Sequence, residues 1–219
     1  MKLKKPSKKK NIQFEIDLNI QPIIGVDEVG RGCIAGPVCA GVVIFREENL
    51  RPESLKTYVD SKTLPETKRQ AICEEIKNSH HWALGWATVE EIDQINIRQA
   101  SLLAMCRAVM ELGKTVDLSS GQLLIDGRDI LTGLIPKFGS LLQRAVISGD
   151  SLVRQISAAS ILAKVARDDL MTKIADDYPE YGFITHKGYG TEAHREAIQK
   201  YGVLNCHRKT FAGVKEHIR

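Results

Sequence analysis

A short apolar run at residues 23–26 stops abruptly at two adjacent carboxylates, Asp27 and Glu28, followed by Val29-Gly30-Arg31-Gly32. A run this short, closed by charge and glycine, reads as a buried strand whose end carries the polar chemistry. The two carboxylates suit a hard divalent cation. The glycines let backbone approach a phosphate or a sugar.

The rest of the chain extends this start into an α/β pattern. Strands are expected at 38–45, 81–89, 122–125 and 144–148, with residues 32–37 as a hairpin connection after the first strand. Thr63 and Pro65 suit the start of a helix to about 77, and Asn96 suits the cap of a helix to 112, closed by Gly113. Asp150 is placed to open a long helix through 174, and Thr191 to cap a last one ending at Gly202. Strands followed by alternating helices and strands predict one mixed sheet of about five strands flanked by helices, with a C-terminal helical subdomain.

Four acids fall at element ends: Asp27, Glu28, Asp126 and Asp150. Should the first and fourth strands be neighbours, Asp27 and Asp126 lie side by side. Gathered carboxylates raise one another's pKa, and a divalent cation relieves that repulsion. Each acid also has a plainer reading. Asp126-Gly127 is a turn signal, Asp150 is a good N-cap, and Asp27-Glu28 suits a solvated strand end. Strand alternation adds a geometric condition, because consecutive residues face opposite sides of a sheet. Either Glu28 lies in the bend made by Gly30 and Gly32, or it serves a second metal at the flank of a site centred on Asp27. Two-metal nucleases hold their ions roughly 3.5–4 Å apart, and the flanking arrangement is the expected one.

Composition sets bounds. At 219 residues the chain fits one domain with a small appended subdomain. No apolar stretch approaches the ~20 residues of a membrane span, and the N-terminus lacks the apolar core of a secretory signal. The five cysteines form no C-x-x-C pair, which favours reduced thiols in a cytoplasmic protein. The net charge is +4, but six lysines lie within residues 1–10 with no acid among them, and removing them leaves −2. Residues 1–20 therefore read as a basic, disordered tail with a weak hold on phosphates, and residues 21–219 as the folded unit.

Longer motifs identify the family that the chain resembles. The octapeptide at 25–32 is followed by Gly36-Pro37-Val38 and Asp60-Ser61-Lys62. Leu124-Ile125-Asp126-Gly127 and Gly149-Asp150 come next, then the run at 156–168, Ile-Ser-Ala-Ala-Ser-Ile-Leu-Ala-Lys-Val-Ala-Arg-Asp. His186-Lys187-Gly188-Tyr189-Gly190-Thr191 and His207-Arg208-Lys209-Thr210-Phe211 complete the set. In this order the motifs resemble ribonuclease HII, the type 2 ribonuclease H family, in a compact bacterial form without the added N-terminal domain of type 3 enzymes. Val29 stands where alanine is common in that family.

The resemblance implies an RNase H-like fold, residues 21–219 as the catalytic domain, and a metal-dependent endonuclease acting on RNA–DNA hybrids. It further implies cleavage on the 5′ side of single ribonucleotides embedded in duplex DNA, leaving a 3′-hydroxyl and a 5′-phosphate. By position, Asp27, Glu28, Asp126 and Asp150 would hold two Mg2+ or Mn2+ ions. Gly30, Arg31 and Gly32 would contact the 2′-hydroxyl and nearby backbone, Tyr189 would stack at the RNA-to-DNA junction, and Ser61 and Lys62 would meet phosphate. The partners implied are hybrid and ribonucleotide-containing duplexes, bound by a monomer. Two other classes are weighed: another RNase H-like nuclease such as a type 3 enzyme or a resolvase, and a non-catalytic nucleic-acid-binding module. The last explains the lysines but not four carboxylates set against a phosphate-bearing partner. Lys164 is equally suited to a structural ion pair and to the site. The small residues Ala158, Ala159, Ser160 and Ala163 predict close packing of their helix on the sheet.

Overall fold

The computed structural model describes residues 17, 19–58, 64–134, 137–138 and 141–218. Most of the lysine tail, and Asp60-Ser61-Lys62, lie outside the described residues.

Five strands, β1 (Ile23–Val29), β2 (Val38–Ile44), β3 (His81–Ala87), β4 (Gln122–Asp126) and β5 (Leu142–Val146), form one mixed sheet in the order β3-β2-β1-β4-β5. β1 pairs with β2 and β2 with β3 antiparallel; β1 pairs with β4 and β4 with β5 in parallel. The helices are α1 (Pro52–Thr57), α2 (Glu66–Ser79), α3 (Val89–Leu112), α4 (Gly149–Leu152), α5 (Arg154–Asp177), α6 (Phe183–His186) and α7 (Glu192–Tyr201).

Each sheet face has its own core. Ile24, Val26, Leu123 and Ile125 pack with Ala100, Ala104, Met105 and Ala108 of α3. On the other face Val43 packs with Ala158, Ala159, Ile161 and Leu162 of α5 and with Ile72 and Ile76 of α2. The small residues of α5 meet glycines in the strands. A side chain at Gly25 would lie 2.2 Å from the Gln155 backbone, and one at Gly41 would lie 2.3 Å from the Ala159 carbonyl oxygen. Glycine on one side and alanine on the other bring helix and sheet together more closely than side chains allow. A third core, including Ala35, Met171, Tyr181, Phe183, Ala197 and Ile198, builds the C-terminal helical segment and ties it to the connection after β1.

Three sequence expectations shift. The first strand continues to Val29, with Val29 still paired to Cys39, because the β2 partner extends as far. Helix α3 begins seven residues before Asn96. Thr88 caps it and exchanges hydrogen bonds with Glu91, a capping box. Asn96 still acts as a cap, but inside the helix: at φ 64° it breaks the run, and its Oδ1 accepts from the amides of Arg98 and Gln99. The long helix expected from Asp150 is divided at Val153, so Asp150 sits in the short α4 while α5 starts at Arg154. Thr191 caps α7 and Gly202 ends it, as expected.

Candidate active site

Strand alternation assigns the acids to two faces. Ile24 and Val26 face α3, so Glu28 does as well; Gly25 faces α5, and so does Asp27. Glu28 is within a regular strand and not in the glycine bend, so it reaches the strand end from the face opposite Asp27. Asp27 accepts a hydrogen bond from Ser160 of α5 and, through Oδ1, one of 2.7 Å from the Glu28 amide. The parallel pairing of Val26 with Ile125 places Asp126 beside Asp27 at the next step. Asp126 Oδ1 accepts from the amides of Gly149 at 2.7 Å and Asp150 at 3.4 Å, drawing α4 over the strand ends. All four acids thereby line one cavity of about 270 Å³, with Gly30, Arg31, Gly32, Ser160, Lys164 and Tyr189.

Negative charge dominates this cavity. Asp27 is 5% exposed. Burial first, then Glu28 and Asp126, holds its carboxyl well above the usual carboxylate range. Burial also raises Glu28, opposed by Arg31, whose Nη1 lies 3.1 Å from Glu28 Oε1. Lys164 reaches the cavity from α5, but its ammonium is 2.7 Å from Asp168, which also has Arg69 at 3.6 Å. An all-oxygen set of carboxylates short of positive charge fits a hard divalent cation. Among the described residues no group of three such side chains is set at coordinating distance. It is the donor chemistry, and not a preformed cage, that fits a metal.

The glycine-flanked loop is built on two buried cations. Arg167 and Arg208 are both fully buried. Arg167 donates to the carbonyls of Ala35, Pro37 and Lys187 at 2.9–3.0 Å. Arg208 donates to those of Gly30, Arg31, Cys33 and Gly36 at 2.6–3.1 Å. Burial, with Arg167 nearby, lowers the Arg208 pKa to about 10, so the guanidinium remains charged at neutral pH. Gly30 has φ 98°, and a side chain there would lie 2.1 Å from Arg167 Nε, so glycine is required on both counts. The carbonyls of the loop are thus turned inward to the guanidiniums, while Gly30, Arg31 and Gly32 line the cavity.

Tyr189 reaches the same place from the C-terminal segment. Its backbone pairs with Cys33 as an isolated antiparallel bridge, and the amides of Ile34 and Ala35 donate to the Gly188 carbonyl. The side chain is 43% exposed. A side chain at Gly32 would meet Tyr189 Cε1 at 4.0 Å, so the ring stands beside the loop. The structure thus gathers Asp27, Glu28, Asp126, Asp150, Gly30, Arg31, Gly32 and Tyr189; Ser61 and Lys62 fall outside the described residues. Ser160, Arg167 and Arg208 had no site role assigned from sequence. Their signal was membership of the quoted motifs, but only the fold shows two arginines converging on one loop.

Residues 24–214 match the Ribonuclease HII family. A protein of Zymomonas mobilis named Ribonuclease HII is 43% identical over 213 residues, covering 97% of this chain and 94% of that one. The crystal structure of ribonuclease H2 from Pyrococcus horikoshii superposes with a TM-score of 0.72 at 25% identity, covering 89% of this chain and 95% of the other. Bst-RNase HIII in complex with Mn2+ superposes with a TM-score of 0.71 at 19% identity, covering 89% of this chain and 68% of the other, a likeness of fold. With carboxylates at the ends of neighbouring parallel strands and a family match across almost the whole described fold, the chain belongs to the ribonuclease HII family.

Proposed function

We propose that this ribonuclease H cuts the RNA strand of RNA–DNA hybrids and nicks duplex DNA on the 5′ side of a single embedded ribonucleotide. The observation that carries the reading is one cavity lined both by the four acids and by Gly30, Arg31, Gly32 and Tyr189. On this reading the chemistry and the ribose detection would share one cavity of about 270 Å³.

Asp27, Glu28, Asp126 and Asp150 would hold magnesium or manganese, two ions with substrate bound. Such ions supply a water nucleophile at neutral pH and neutralise charge on the attacking and leaving oxygens. The chain's own residues do the selecting. The 2′-hydroxyl separates RNA from DNA and both donates and accepts hydrogen bonds. Amides of the 30–32 loop, whose carbonyls Arg208 holds from behind, can donate to it without reading any base. The exposed Tyr189 ring offers a flat face at the adjoining sugar. Ser61 and Lys62 would add phosphate contacts, and the lysines of residues 1–10 a sequence-independent attraction.

Monomeric action in the cytoplasm is part of the same reading. The five cysteines are all free, and burial raises the pKa of every one. That suits a reducing compartment. Among the described residues no helix is long and apolar enough to cross a membrane.

The test is a labelled duplex carrying one ribonucleotide, incubated with and without Mg2+ or Mn2+ beside an all-DNA control. A metal-dependent nick 5′ of the ribonucleotide, with the control intact, is expected. Cleavage of both duplexes, or of neither, overturns the reading.

A further inference from the structure

Three histidines lie behind Tyr189, and nothing above gives them a task. His194 is in the first turn of α7 and His207 follows that helix; both are fully buried. Their hydrogen bonds fix where the protons sit. The Leu204 amide donates to His207 Nδ1 at 2.8 Å, so the His207 proton is on Nε2. That nitrogen is 3.0 Å from His194 Nε2. His194 Nδ1 is 2.9 Å from the Tyr189 carbonyl oxygen, which can only accept. The His194 proton is therefore on Nδ1, and its Nε2 accepts from His207. Working from either end gives the same assignment: one directed chain from the Leu204 amide through two neutral imidazoles to the Tyr189 carbonyl. Burial lowers both imidazoles to about 4, which keeps them neutral as the chain requires. His186 stacks on the His194 ring at 4.3 Å and donates to the Tyr181 carbonyl at 2.8 Å.

The carbonyl at the end of this chain belongs to the peptide between Tyr189 and Gly190. Tyr189 lies between Gly188 and Gly190, residues that place little constraint on the backbone. The orientation of that peptide is therefore set by its contacts: the bridge to Cys33 on one side, and on its carbonyl the Thr191 amide at 2.9 Å and, from outside the segment, His194. We propose that His207 and His194 are positioning residues for Tyr189, holding its backbone so that the exposed ring stays beside Gly32. The proposal rests on Tyr189 acting at the RNA-to-DNA junction.

The substitutions separate the link from mere filling of space. H194L preserves bulk but removes both hydrogen bonds. H194N restores a donor near the Nδ1 position and so the bond to Tyr189. H207N keeps an acceptor for the Leu204 amide but ends the bond to His194. Steady-state kcat/KM is measured on a single-ribonucleotide duplex and on a long RNA–DNA hybrid, alongside Tyr189→Ala. H194L should lose roughly 10–100-fold on the single ribonucleotide, by analogy with the cost of removing an orienting hydrogen bond behind a metal ligand, and much less on the hybrid. H194N keeps the bond to Tyr189 but loses the one to His207, and H207N cuts that same bond from the other side, so both should fall between H194L and the wild type. Should H194L not fold, these two variants decide: wild-type activity in both overturns the proposal. Wild-type behaviour of H194L beside a defective Tyr189→Ala overturns the histidine role alone. Equal loss on both substrates in Tyr189→Ala overturns the junction reading, and the positioning proposal with it.

Discussion

Cys33 and Tyr189, 156 residues apart in sequence, pair through their backbones as a single antiparallel bridge. The bridge makes the loop that starts at Gly30 and the segment bearing the exposed tyrosine one surface. Tyr189→Ala should then impair single-ribonucleotide cleavage about tenfold or more, in line with ~1–3 kcal/mol for one stacking contact. Cleavage within long hybrids, where no junction need be read, should fall less. Tyr189→Phe should keep most of the discrimination, since it retains the ring. Competition between the two substrates in one reaction measures the ratio directly.

Arg208 supports that surface from beneath. Its guanidinium donates to four carbonyls, and the Phe211 ring lies 5.1 Å away. Arg208→Met removes every donor and leaves buried carbonyls without partners, each costing about 1–3 kcal/mol. A loss of at least about 3 kcal/mol is expected. For a chain of this size that is a fall in melting temperature of roughly 6–12 °C. Arg208→Lys should rescue little, because an ammonium cannot span a fork of carbonyls. Calorimetric melting of the three proteins checks both statements.

The lysines of residues 1–10 call for a separate measurement. Six positive charges free of neighbouring acids release counterions on meeting a duplex. Deleting residues 1–10 should flatten the slope of log Kd against log salt, with cleavage at low salt little changed. Binding titrations at four or five salt concentrations suffice, and an unchanged slope would remove the tail from substrate binding.

How much of this was legible depends on the range of the interaction involved. Local chemistry wrote itself into the sequence: Thr191 and Gly202 bound α7 because capping needs only neighbours, and the acids at strand ends were visible for the same reason. The adjacency of Asp27 and Asp126 was conditional on strand order, which the parallel pairing of β1 with β4 supplies. Asn96 was recognised as a cap but misplaced as a helix start, because Thr88 and Glu91 offered a second capping signal upstream that strand character at 81–89 obscured. Arg167 and Arg208 stand inside the quoted motifs, but a motif does not state their task. Only the tertiary fold shows them buried against carbonyls more than a hundred residues away.

The buried carboxylate of Asp27 links stability to catalysis. Its native pKa is raised, so between its unfolded and native values the fold holds a proton that the unfolded chain has lost. The fold then binds more protons than the unfolded chain, and metal-free stability declines as pH rises through that interval. Asp27→Asn removes this dependence. The variant should be inactive, with a loss of at least about 100-fold, beyond the usual cost of disturbing a ligand's outer contacts. Metal-free, it should melt above the wild type, with the gap widening as pH rises from about 4, near the ordinary carboxylate value, and levelling off beyond the raised native value. Divalent cation should close the gap by stabilising the wild type, since a ligand that binds only the folded state raises its stability. Melting curves across pH, with and without Mg2+, test each part. A variant that is inactive yet melts below the wild type at neutral pH would mean that Asp27 contributes to the fold through its hydrogen bonds with Ser160 and the Glu28 amide more than its charge costs.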